Sequence, residues 1–161
     1  MESMSTAFCV GVALLAACTV AQAGQKISFD GVQYYSAQFQ TAQFEKGHSY
    51  SLLKEWRGIH AAKDPSSVAH LTRMECHGFI DARADGTFNA EGYCNHWDRD
   101  GHLWVGRWWN NSKMKVGQYE VFAGEGKYTG ATGGGTANCN FIKPPPDPQA
   151  ACEVTGTIEL K

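Results

Sequence analysis

Apolar residues along most of this chain recur every second position, and turn signals interrupt them roughly every ten to fifteen residues. That period predicts extended strands with one buried face. The segments are Val32–Phe44, Tyr50–His60, Val68–Asp81, Phe88–Trp97, His102–Trp109, Val116–Phe122, Thr136–Ile142 and Cys152–Leu160. Lys46-Gly47, Asp64-Pro65, Asp85-Gly86, Asp98-Arg99-Asp100-Gly101 and Asn110-Asn111 separate the first six. No stretch after residue 23 carries a convincing helical period. About eight evenly spaced strands without helices predict an all-β barrel or sandwich. A barrel has the advantage that closure leaves no exposed edge.

The cysteines sharpen this picture. Cys76 and Cys94 lie symmetrically about Asp85-Gly86, and Cys139 and Cys152 about the proline-rich run 143–149. Facing strands joined by a turn bring such positions within reach of a disulfide. The pattern predicts two stapled antiparallel hairpins in an oxidising compartment. No Cys-x-x-Cys is present to support zinc.

Residues 1–23 read as an export signal. Val10–Val20 is almost wholly apolar, and Ala21-Gln22-Ala23 has the small-x-small form of a cleavage site. Leu15-Ala16-Ala17-Cys18 supports a second reading, a lipobox that would anchor the protein through Cys18. The expected localisation is secreted or periplasmic, with a lipid-anchored alternative. Residues 24–161 then form one domain with four cysteines. Fourteen basic residues balance sixteen acidic ones without a basic run, which argues against nucleic acid as a partner.

The segment Gly124-Glu125-Gly126-Lys127-Tyr128-Thr129-Gly130-Ala131-Thr132-Gly133 is glycine-rich. Lys127 is followed by Tyr128 rather than Ser or Thr, so it is no phosphate loop. It predicts a compact loop with Tyr128 and Ala131 plugged into the core. The segment resembles a loop of the allene oxide cyclase and dirigent barrels, matching at Gly124, Gly126, Lys127, Tyr128, Gly130, Ala131 and Gly133. Cys76-His77-Gly78, Gly92-Tyr93-Cys94 and Asp98-Arg99-Asp100-Gly101 are similar to motifs of small secreted bacterial proteins bearing the same loop. The resemblance covers roughly residues 76–136. It implies an eight-stranded antiparallel up-and-down barrel, trimeric in many plant members. It carries over no catalytic set, because function does not travel with fold.

Candidate chemistry follows from register. If Cys76 faces Cys94, then His77 faces Tyr93, Glu75 faces Asn95 and Phe79 faces Glu91. One hairpin face is polar and the other small or apolar. Either the apolar face is core, or the polar face lines a ligand-holding barrel. In the second case His77, Glu91 and Tyr93 are the acid–base candidates, and Glu75 and Asn95 help to hold a ligand. Trp104 and Trp108 share a strand face with Gly106 between them, which would leave room for a ligand ring. His96, Asp98, Asp100 and His102 alternate like metal ligands, but Asp98–Gly101 also has the form of a type I turn; no metal or cofactor is expected. Glu55 and Arg57 share a face as an ion pair. No Ser nucleophile sits in an elbow motif.

Three functions remain open. The leading one is binding of a small apolar or aromatic ligand in the barrel. The others are a cyclase or isomerase using the same pocket, and an inhibitor-like module acting through the proline loop.

Overall fold

The computed structural model describes residues 24–45, 47–143 and 149–161. Residues 1–23, read above as an export signal, and the tip of the proline loop, 144–148, lie outside the described residues. Nine antiparallel strands follow one another: β1 (Lys26–Ser28), β2 (Gly31–Glu45), β3 (His48–Ala62), β4 (Thr72–Ala82), β5 (Phe88–Trp97), β6 (Leu103–Asn111), β7 (Gly117–Gly124), β8 (Thr132–Lys143) and β9 (Gln149–Glu159). Sequential neighbours pair from β2 to β9, and β9 returns to pair with β2. Short β1 lies along the same flank of β9 as β2, through Ile27 opposite Ile158. The result is the closed eight-stave up-and-down barrel expected from the sequence.

The cysteine register is the one the spacing predicts. Cys76 faces Cys94, His77 faces Tyr93 and Phe79 faces Glu91; Cys139 faces Cys152. Both pairs are disulfide-bonded. Strand starts mostly fall within a few residues of the period's suggestion, and two, those of β4 and β8, are displaced the most. Residues 68–71 form a turn, in which Ser67 Oγ accepts from the Ala69 N–H at 3.2 Å and Thr72 Oγ1 donates to the Ala69 carbonyl at 2.8 Å. Leu71 there has φ 61°, a left-handed backbone that ends extended structure. Conversely, Gly133–Gly135 belong to β8 rather than to a loop. Gly135 faces Gly156 across the ladder, and the Tyr119 hydroxyl occupies the space where a Gly156 side chain would stand.

A bulge at Lys54-Glu55 resets the alternation of β3. Leu53 pairs with Gly78 while Trp56 pairs with Cys76. The extra residue brings both Leu53 and Trp56 to the inner wall. It also leaves Glu55 exposed, and Arg57 reaches Glu75 at 3.9 Å, so the expected Glu55–Arg57 pair is replaced by a long surface contact across β3 and β4.

The core is concentrated at one end. Phe29, Met74, Trp104, Tyr128, Ala131, Ile158 and Leu160 are buried together, beside the turns joining β3 to β4, β5 to β6 and β7 to β8. Tyr128 and Ala131 plug the core as expected. The loop bearing them is clamped from outside: Lys127 Nζ lies 2.6 Å from Asp98 Oδ2. Asp98 Oδ1 also accepts from the N–H groups of Asp100 and His102, both at 3.0 Å. Asp98–Gly101 is therefore a turn, with Gly101 at φ 84°.

Candidate functional site

The barrel closes at its floor and opens at the opposite end. A cavity of about 470 Å³ runs inward from the hairpin ends, within the range of small-molecule sites. Its mouth is formed by the β4–β5 turn, the ends of β6 and β7, and the ends of β8 and β9. Its walls come from the inward positions of the strands, among them Tyr35, Leu53, Trp56, Ala90, Trp108 and Tyr119.

Aromatic rings build those walls because glycines let them lie flat. Gly78 faces Gly92 across β4 and β5. A Cβ on either would come within 2.6 Å of the Trp108 indole, so only this glycine pair admits the ring against the sheet. Trp108 then meets Trp56 edge-on at 5.3 Å, and Trp56 meets Tyr35 at 4.7 Å. Trp104 and Trp108 both line the cavity, as the sequence suggested. The space above Gly106, however, is taken by Trp104 itself, whose ring would stand 3.3 Å from a Cβ there.

The floor is a stack of four rings. His96 lies flat on Trp104 at 3.5 Å, Phe29 meets Trp104 edge-on at 4.8 Å, and His60 stacks on Phe29 at 4.1 Å. Neither nitrogen of His60 and not Nδ1 of His96 finds a partner. Burial, aided by the nearby His60, pulls the His96 pKa down to about 3. Burial first and His70 second pull His60 down to about 4. Both rings are neutral at pH 7. Burial likewise pushes the phenols of Tyr35 and Tyr119 up, and the Tyr35 hydroxyl donates to Gln33 Oε1.

The acid–base candidates are not in this interior. The disulfide face of the β4–β5 hairpin points inward, with Met74, Cys76 and Cys94 buried. Period two then forces Glu75, His77, Glu91, Tyr93 and Asn95 onto the outer wall. His77 is exposed, and Tyr93 is 53% exposed with its ring edge-on to Phe122. Glu91 accepts from Arg107 Nη2 at 2.8 Å, a surface pair worth little. Reading these five as barrel-lining residues is thereby corrected; the apolar face won because burying ionisable groups unpaired is costly. Among the described residues, no group of three metal-capable side chains converges: His96 is in the floor while Asp98 holds a turn. Among the described lining residues there is also no carboxylate.

Sequence reasoning passed over His60 and His96 as floor residues. For His96 the available signal was its inward parity with Cys94 on β5; β3 carries no cysteine, so the sequence offered none for His60. Asn110-Asn111-Ser112 has the form of a glycosylation acceptor. Asn110 lines the cavity with its Oδ1 buried.

No protein-family model matches the chain, and no curated protein is similar to it at a significant level. Among solved structures it is similar to a pterocarpan synthase dirigent protein, with 11% identity and a TM-score of 0.54. The match covers 100% of this chain and 98% of that one. At such identity the likeness speaks for architecture: the chain has the eight-stranded β-barrel fold of the allene oxide cyclase and dirigent proteins.

Proposed function

We propose that this protein binds a small apolar or aromatic ligand inside its barrel, without catalysing a reaction on it, and that it works after export. The observation that carries the reading is the open, aromatic-walled cavity above a closed floor. Buried apolar surface supplies the affinity at about 25 cal/mol per Å², and the preformed wall avoids an ordering cost. Acid–base catalysis would need an ionisable group poised near neutral pH. The lining offers instead a neutral His96 and two phenols held protonated. The two disulfides suit an oxidising compartment.

The test is titration with N-phenyl-1-naphthylamine, a neutral fluorescent aromatic, in the parent protein and in Ala90→Phe. Ala90 faces the cavity, and a phenyl group there projects into it and narrows it. Saturable binding in the parent and at least a tenfold loss in a folded Ala90→Phe variant are expected. Equal binding in both would place the dye elsewhere and overturn the reading.

A further inference from the structure

The polarity of the cavity changes with depth. Towards the floor the lining is Phe29, His96, Trp104 and Val154, with the histidine uncharged. At the mouth the polar residues Arg83, Thr87, Gln118 and Asn140 join apolar ones such as Phe39 and Phe88. A ligand matching this profile has an apolar body and one polar end.

The charges select which polar end. The described lining residues include two cations, Arg83 and Arg107, and no anion. Arg107 is committed to Glu91 on the outer wall at 2.8 Å. Arg83 stands just past the end of β4, with its side chain 58% exposed, and its ion pair with Asp81 is long, at 3.6 Å. The other Asp81 oxygen is already held by His48 Nε2 at 2.8 Å. The contact is long and the guanidinium exposed, with the exposed Asp85 as a second neighbouring carboxylate; neither fixes the guanidinium, which can turn to meet an incoming anion with paired N–H donors.

Resting on the ligand-binding reading above, we propose that the ligand is a small organic anion. Its largely aromatic body sits in the barrel, and its single acidic group, a carboxylate or sulfonate, stays at the mouth against Arg83. Asn140 stands among the lining residues at the mouth to take part in its hydrogen bonding. Leaving the charge at the rim spares the ligand the desolvation that the floor would impose.

Two dyes with one ring system separate the parts of this proposal. N-phenyl-1-naphthylamine is neutral; 1-anilinonaphthalene-8-sulfonate adds a single sulfonate. Both are titrated at low salt into the parent protein and into Arg83→Gln. The expected result is that Arg83→Gln weakens the sulfonate about fivefold and leaves the neutral amine within twofold. Asp81→Asn, which frees Arg83, is expected to tighten the sulfonate only. Failure of the sulfonate to bind where the amine does, or an equal effect of Arg83→Gln on both dyes, would overturn the anion proposal and leave the apolar ligand standing. Failure of both dyes to bind would overturn the underlying reading itself.

Discussion

Acidification from pH 7 to pH 5 probes the barrel floor directly. His60 and His96 are 0% and 4% exposed, and their folded pKa values are about 4 and about 3 against an ordinary 6.5. A histidine lowered in this way favours folding only while it is neutral. Its unfolded form takes up a proton first, so stability is full above about pH 6.5 and is lost as pH falls towards the folded values. At pH 5 each ring costs about 2 kcal/mol relative to pH 7, or about 4 kcal/mol for the pair. That is a large share of a typical stability of about 5–15 kcal/mol, and corresponds to a melting temperature roughly 10 °C lower. The Asp98 carboxylate does not contribute in this window. Burial would raise its pKa, but Lys127, the His102 N–H and Tyr128 together hold it below 3.8, so it stays ionised in both states above pH 5. The assay is thermal unfolding followed by near-ultraviolet circular dichroism at pH 7, 6 and 5, in the parent, His60→Phe, His96→Phe and the double variant. Phenylalanine keeps a ring in each stack and cannot take up a proton. Each single variant should remove about half of the acid-induced drop. A drop that survives undiminished in the double variant would refute the argument, as would a melting temperature that does not move in the parent.

Other outcomes follow from the same geometry. Asp98→Ala removes the acceptor of two backbone N–H groups and strands Lys127, and should cost about 3 kcal/mol, read as a lower urea midpoint at unchanged slope; a cost under 1 kcal/mol would mean the clamp is not formed in solution. Gly92→Val drives a side chain into the His77 carbonyl and the Trp108 ring and should destabilise by more than about 3 kcal/mol; a cost under about 1 kcal/mol would contradict the flat-ring packing. His77→Ala and Tyr93→Ala sit on the outer wall and should leave dye affinity within twofold, so a tenfold loss in either would return those residues to the site. Brief treatment with a mild thiol followed by alkylation should label Cys139 and Cys152, the former exposed, well before the buried Cys76 and Cys94; mass mapping that finds the reverse order would contradict the inward placement of the Cys76–Cys94 bridge.

The sequence by itself determined the approximate course of the eight barrel strands, though not short β1, the disulfide partners and the register between β4 and β5. These are local matters: a side-chain period of two, a turn and two symmetric cysteines fix them without reference to the rest of the chain. β5 was read with both ends where the structure has them, at Phe88 and Trp97. The same local reasoning placed Trp104 and Trp108 on one face, now seen lining the cavity. What only the tertiary structure decided was which face of each strand the barrel encloses. Glu75, His77, Glu91, Tyr93 and Asn95 form a coherent set on paper, because period two groups residues without saying whether the group faces the inside or the outside. Closure between β9 and β2, the bulge that turns both Leu53 and Trp56 inward, and the glycine pair that lets Trp108 lie flat settled that question. Each is a contact between residues far apart in the chain. The packing of the whole wall, not the pattern of any one strand, therefore left His60 and His96 in the floor and the ionisable cluster in water.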